Sequence, residues 1–156
     1  MYKRQAYAHA LDSDGVLWSA EMTDGSFDGL PATDEVVAVE EGADHGWPHC
    51  VGDNRPVAEF GGDATRCLAV PVSQAVFAPS ATPTSLAVSP FADAVLWVAL
   101  WNERRVVAIS TDSTLRPAPV VEVLSGLDRP QHLLSVDGSM YVSDFGTGKI
   151  HRVTPG

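Results

Sequence analysis

The sequence lacks the long apolar runs and the positive charge that mark several classes of protein. No run approaches the roughly 20 apolar residues that a membrane-spanning helix needs. Lysine and arginine number only 10 against 20 aspartates and glutamates, which gives a net charge of −10. A charge of that sign repels phosphate backbones and anionic lipid surfaces. We therefore expect no nucleic-acid partner and no membrane insertion.

Common enzyme signatures are also missing. The chain has no Gly-x-Ser-x-Gly elbow, no phosphate-binding glycine loop, no Cys-x-x-Cys pair and no His-Glu-x-x-His. His45 and His49 have the spacing of a helical metal pair, but Gly46 and Pro48 between them disfavour a helix. The remaining histidines lie in or beside predicted strands, where we expect structural roles: His9, His132 and His151.

Cysteine is scarce, with only Cys50 and Cys67 present. Between them lies a loop rich in glycine, aspartate and proline that has little apolar content to hold it. A disulfide would close this loop and contribute roughly 3 kcal/mol in the loop-entropy model. It would also indicate an oxidising compartment. Two independent reduced thiols are the alternative, and the residues alone leave both open.

Residues 44–50, with the sequence Asp-His-Gly-Trp-Pro-His-Cys, predict a rigid corner. Glycine admits positive φ, proline fixes φ and removes a donor, and the residue before proline is pushed out of the helical region. Trp47 is therefore held on a loop. Such a ring either packs over the end of a sheet or faces a ligand.

Strands and tight turns dominate the rest, and one pattern occurs three times. A strand, a turn and a second strand with an aromatic residue fall at residues 8–21, 85–100 and 131–144. Asp-Gly pairs in the first and third turns supply the glycine that a tight hairpin needs. Third strands are predicted at residues 34–39, 105–109 and 149–153, and a fourth at residues 120–124. No convincing amphipathic helix is present.

The repeat spacing indicates a β-propeller. Trp18, Trp97 and Tyr141 occupy matching places, separated by 79 and then 44 residues. The second interval is one period of a four-stranded propeller blade, and the first fits one period plus an insertion that contains the Trp47 corner. We predict an all-β fold, a partial β-propeller of about three four-stranded antiparallel blades from a six-bladed ring.

Residues 1–5 differ in composition from the rest of the chain, because they contain two of the ten basic residues and show no apolar pattern. We expect them to be a foreign end, and residues 6–156 to form the partial propeller with a disulfide-closed loop at residues 50–67. A blade needs a neighbour on each face, and three blades do not close a ring of the usual size. We therefore expect the chain to be a fragment of a longer propeller.

Four segments in one order carry a resemblance to a known family. They are residues 20–36, the 42–50 corner with Cys67, residues 78–87, and residues 127–144. This series resembles the carboxy-terminal half of the glucose/sorbosone dehydrogenase family, six-bladed propellers that bind pyrroloquinoline quinone with calcium. The resemblance covers residues 6–153, and the Gly-Trp-Pro corner with its cysteines is its most specific part. It implies oxidation of a sugar or aldose hydroxyl and a periplasmic or secreted location.

The resemblance also implies site residues. The family loop that supplies calcium with backbone carbonyls falls on Thr23 and Asp24. The family cation after the second Trp-containing strand falls on Asn102, with Arg104 the nearest cation. The family arginine before the last hairpin matches Arg129, and its companion two residues on is Gln131. Guanidinium groups are natural partners for a cofactor with three carboxylates, because they bind carboxylates bidentately.

The histidine that serves this family as a base has no match in the chain, so we name no catalytic residue and expect the fragment alone to be inactive. Two other functions remain open. Asn102 and Gln131, neutral where the family has cations, favour a non-catalytic propeller that serves as a binding scaffold. A calcium-dependent lactone hydrolase of similar shape would need convergent carboxylates, which the sequence does not show.

Overall fold

The computed structural model describes residues 5–23 and 25–155, so all but one of the residues in the predicted foreign end lie outside it. Three antiparallel sheets make up the body of the protein. The first contains β1 (Gln5–Leu11), β2 (Leu17–Met22), β5 (Asp34–Val39) and β8 (Ala75–Phe77). The second contains β9 (Pro83–Val88), β10 (Val95–Leu100), β11 (Arg105–Ser110) and β12 (Val120–Leu124). The third contains β13 (Pro130–Val136), β14 (Ser139–Asp144) and β15 (Lys149–Val153).

Two short strand pairs lie outside these sheets. β3 (Ser26–Phe27) pairs with β4 (Leu30–Pro31), and β6 (Cys50–Val51) pairs with β7 (Arg55–Pro56). A 3-10 turn spans Ala58–Phe60, and one helix, α1, spans Ala64–Leu68. Within the described part of the chain, no helix has the length and apolar character that crossing a membrane requires.

The aromatic residues of the repeat occupy the same place in each sheet. Trp18 lies between Ala10 and Ala38 in the register of the first sheet, and Trp97 lies between Ala87 and Ala108 in the second. Each belongs to the second strand of its sheet, as does Tyr141. The three sheets are therefore equivalent units, which confirms the predicted partial propeller.

Apolar faces of consecutive sheets form the two main core clusters. Trp18 (5% exposed) packs with Leu86, Leu96 and Val98 of the second sheet. Trp97 (6% exposed) lies in a cluster with the third sheet's core residues, which are Leu133, Met140 and Val142. The alternation of side chains across a strand explains how the second sheet meets a neighbour with both faces.

The far face of the third sheet is exposed. Tyr141 lies on it, beside Leu134 and Arg152 in the strand register. Leu134 is 53% exposed and Ile150 is 74% exposed. The face that buries a tryptophan in the first two sheets thus has no following sheet among the described residues.

The segment 40–74 is the predicted insertion, and it lies between the third and fourth strands of the first sheet. Cys50 and Cys67 form a disulfide within it, which confirms the predicted bridge. Both cysteines are buried with Val70. Trp47 packs edge-on against Phe27, with 5.5 Å between the ring centroids, so its ring serves the packing of this insertion.

Sequence patterns did not predict the short elements of this region, and β8 and α1 show the reason. β8 has only three residues and follows the insertion, so no alternating pattern identified it. α1 is a single short helix, and its first turn is capped by the Asp63 carboxylate, which accepts a hydrogen bond from the Arg66 amide. Five residues are too few to show a helical period.

Asp12 closes the first hairpin through its side chain. Its carboxylate accepts hydrogen bonds from the indole Nε1 of Trp18 at 2.7 Å and from the Val16 amide at 2.8 Å. These bonds, the Trp18 bond first, hold the pKa of Asp12 below its ordinary value of 3.8. The Asp12 carboxylate thereby fixes the indole of Trp18, which packs in the core between the first two sheets.

We expect the stabilisation from Asp12 to depend on pH. A carboxyl whose pKa is lowered by folding contributes stability that is complete above its unfolded value and lost as pH falls through its folded value. The stability difference between the wild type and Asp12→Asn should therefore shrink as pH is lowered from 7 to 3. Urea unfolding of both proteins at several pH values measures it, and a difference that stays constant would contradict this role.

Candidate functional site

One edge of the three sheets collects most of the predicted site residues. At this edge, β1, β9 and β13 begin while β2, β10 and β14 end, as the pairs Pro83 with Leu100 and Pro130 with Asp144 show. β9 packs between β1 and β13, so the first strands of the three sheets are neighbours. We call this the upper edge. Loops from different sheets converge there, which is the usual place for a site on such a scaffold.

A cavity of about 190 Å³ opens at the upper edge. Its walls come from the first, second and third sheets and the loops that join them. The lining is uncharged and combines aromatic, apolar and polar side chains, which are Tyr7, Met22, Thr82, Thr84, Trp101 and Gln131. Gln131 is the only residue of the cofactor set predicted from sequence that lines it.

Asn102 builds the wall of this cavity. Its side-chain amide donates hydrogen bonds to the Ser80 carbonyl at 2.8 Å and to the Thr82 hydroxyl at 2.9 Å. The neighbouring Trp101 amide donates to the Thr82 carbonyl at 3.0 Å. Both amide hydrogens of Asn102 are therefore engaged, and the residue holds the loop before β9 against the end of β10.

Exposed Arg129 and half-buried Trp101 form a pair beside the cavity. The guanidinium lies over the indole, 5.6 Å from the ring centroid, which is the geometry of a cation–π contact. Phe145 extends the aromatic surface, with its ring centroid 5.4 Å from that of Trp101. Among the described residues, the Arg129 guanidinium forms no ion pair. The pair presents a positive charge and a flat aromatic surface at one place.

Arg104 lies at the same edge, where its guanidinium forms an ion pair with Asp128. Its guanidinium is 3.6 Å from the Asp128 carboxylate, and both side chains are well exposed. The Asp128 amide in turn donates to the buried carboxylate of Asp144 at 3.0 Å. Arg104 thus contributes to the loop before β13 as well as to the charge of the upper edge.

The predicted calcium loop follows β2 in the first sheet. Thr23 is buried, and its amide donates to the Asp34 carboxylate at 2.7 Å. The Thr23 hydroxyl has no hydrogen-bond partner in the described part of the protein. Asp24 lies outside the described residues. Across residues 5–23 and 25–155, no group of three or more histidine, cysteine, aspartate or glutamate side chains is placed to hold a metal ion.

Sequence reasoning missed three residues that shape this edge. Trp101 follows an apolar strand directly, and its position before Asn102 was the available signal. Thr82 lies in the recognised segment 78–87, but its positive φ of 60° is visible only in the structure. Asp34 begins β5 and bonds to Thr82, 48 residues away, so no local pattern marks it.

Comparisons with known proteins give a match in structure alone. No family model matches the sequence, and no curated protein matches it. Solved structures match almost the whole chain. The aldose sugar dehydrogenase of Streptomyces coelicolor, solved in its PQQ-bound form, is 19% identical with a TM-score of 0.68, covering 97% of this chain and 42% of that one.

Two further solved structures also match nearly the whole chain. The soluble aldose sugar dehydrogenase of Escherichia coli, in its apo form, is 18% identical with a TM-score of 0.66, covering 96% of this chain and 44% of that one. The Trichoderma reesei protein of carbohydrate-active enzyme family AA12 is 14% identical with a TM-score of 0.75, covering 97% and 53%. The chain therefore shares the fold of these solved structures.

The chain spans about half the length of the structures that it matches. The agreement confirms the predicted resemblance at the level of fold. The likeness extends through all three sheets and the insertion, since it covers nearly the whole chain.

Proposed function

We propose that the chain is one part of a quinone-dependent sugar or aldose dehydrogenase, and that its upper edge forms a wall of the cofactor site. The observation that supports this proposal best is the Arg129 guanidinium placed over the Trp101 ring beside the cavity. A planar anion needs a flat apolar surface and a cation next to it, and this pair supplies both.

Pyrroloquinoline quinone, a planar tricarboxylate, fits part of the residue set. Arg129 would bind a carboxylate, Trp101 would offer a flat surface, and Gln131 would offer amide hydrogen bonds from the cavity wall. Arg104 would add a second positive charge, which its ion pair with Asp128 partly neutralises. Asn102 has both amide hydrogens engaged, so it would shape the wall rather than bind the cofactor.

Calcium fits the chain less completely. The buried Thr23 hydroxyl, which has no partner among the described residues, is one oxygen available to a hard cation. Asp24 would be the second residue of this loop. Calcium takes roughly six to eight oxygens, so Thr23 and Asp24 would supply only part of its coordination shell.

When bound, the quinone supplies the acceptor for the two electrons of a sugar hydroxyl. The residues of this chain bind and orient that group, and we assign none of them the role of base. The substrate would be a small sugar or aldose in the longer protein, whose remaining blades would complete the site. The disulfide between Cys50 and Cys67 supports a periplasmic or secreted location.

Titration with pyrroloquinoline quinone, with and without calcium, tests the cofactor site. We expect binding to quench tryptophan fluorescence in the wild type. Arg129→Gln should raise the dissociation constant by about tenfold to a hundredfold, which corresponds to the free energy of a hydrogen bond to a charged group.

Arg152→Gln is the matched control, because Arg152 also lies over an aromatic ring, 5.9 Å from the centroid of Tyr141 on the far face of the third sheet. It should leave quinone affinity unchanged. Equal losses in the two variants, or no quinone binding by the wild type, would count against the proposed site.

A non-catalytic binding propeller is the second candidate. Two observations favour it: both amide hydrogens of Asn102 are engaged, and Arg104 is paired with Asp128. An assay with quinone, calcium, an aldose and an artificial electron acceptor separates the candidates. Dye reduction by a protein that carries this chain with its remaining blades supports the dehydrogenase, and binding without reduction supports the scaffold. Cleavage of a lactone would instead support the calcium-dependent hydrolase.

A further inference from the structure

Asp34 connects two loops that belong to different sheets. It is the first residue of β5, and its side chain is entirely buried at 0% exposure. One carboxylate oxygen accepts the Thr23 amide at 2.7 Å, and the other accepts the Thr82 amide at 2.7 Å. Thr23 follows β2 in the first sheet, whereas Thr82 precedes β9 in the second. One carboxylate therefore joins the predicted calcium loop to the wall of the cavity.

Thr82 is the residue through which this connection reaches the cavity. It lines the cavity, accepts the Trp101 amide on its carbonyl, and accepts the Asn102 side chain on its hydroxyl. Its φ of 60° lies in the left-handed region, which a β-branched residue adopts only when its surroundings impose it. Asp34, Trp101 and Asn102 are the groups that impose it.

We propose that Asp34 is a positioning residue of the upper edge, which holds the loop after β2 and the cavity wall as one unit. Burying an ionised carboxylate is costly unless hydrogen bonds compensate it, so its presence in a core position calls for a specific structural role. The inference rests on the proposed function only in the identity of the ligand. The two hydrogen bonds of Asp34 are present in the chain whatever ligand the upper edge binds.

Hydrogen exchange of the wild-type protein gives the first test. Neither the Thr23 nor the Thr82 amide belongs to a strand ladder. If Asp34 holds both, their protection should approach that of ladder amides such as Val98 in the central strand β10. Exchange of these two amides at the rate of open loops would overturn the proposal, and this measurement requires no variant.

Asp34→Asn gives the second test. An asparagine can accept one of the two amides through its oxygen, but its NH2 group opposes the other. We expect the exchange rate at Thr23 or Thr82 to rise by about tenfold or more, as for a lost hydrogen bond to a charged group. The dissociation constant for the quinone should rise by about tenfold. Unchanged exchange at both amides would overturn the proposal.

Asp12→Asn is the matched control. Asp12 also accepts backbone amides on a side-chain carboxylate, but it lies at the hairpin end of the first sheet, opposite the upper edge. It should leave quinone affinity unchanged, and it should raise the exchange of Thr23 and Thr82 no more than that of Val98 in β10. If the wild type binds no quinone, the proposed function fails, while the exchange pattern still decides the role of Asp34.

Discussion

Trp97→Ala is expected to destabilise the protein by about 3–5 kcal/mol, the usual cost of removing a buried aromatic side chain. Trp97 is 6% exposed and lies in the cluster that joins the second and third sheets. Its loss leaves a cavity between two sheets that are already close-packed. Urea or guanidinium unfolding followed by circular dichroism measures the change.

Tyr141→Ala is the control for this experiment. Tyr141 has the equivalent place in the third sheet, but its face is exposed, with Leu134 and Ile150 beside it. We expect a loss of about 1 kcal/mol or less, as for a substitution near the surface. Equal losses at the two positions would contradict the packing of the three sheets in series.

Removal of the disulfide is the second change with a large expected effect. Replacing Cys50 and Cys67 together with alanine should cost about 3 kcal/mol, because the bridge closes a loop with a sequence separation of 17. For a protein of this size, that cost corresponds to a fall in Tm of about 6–12 °C. Both cysteines are buried, and among the described residues only Val70 joins them in their cluster, so few apolar contacts would hold this loop without the bridge.

Reduction of the wild type should reproduce this loss, whereas the double variant should be insensitive to the reductant. Thiol counting on the unreduced protein should find no free cysteine. Two free thiols per chain, or a wild type whose Tm ignores reduction, would show that the bridge does not hold the insertion.

Local patterns predicted the fold because the repeat is local. Each hairpin combines alternating apolar residues with a short turn, and Trp18, Trp97 and Tyr141 mark equivalent strands. β8 escaped prediction because the insertion of residues 40–74 separates it from the strands that it joins. A three-residue strand has no pattern of its own, and its position is set by pairing with β5.

The site was predictable only in part. The resemblance placed Arg129 and Gln131 at one edge, and the structure brings Trp101 and Thr82 beside them. The role of Asp34 depends on a hydrogen bond to a residue 48 positions away, which no spacing rule contains. Contacts between sheets create the cavity, and the sequence of one sheet does not specify them.

A crystal structure of the protein grown with pyrroloquinoline quinone is the decisive test of the proposed cofactor site. The expected result is quinone density at the upper edge, in contact with Trp101 and with a carboxylate bound by Arg129. Quinone bound elsewhere on the protein, with Arg129 still lying over Trp101 and touching no ligand, would contradict it.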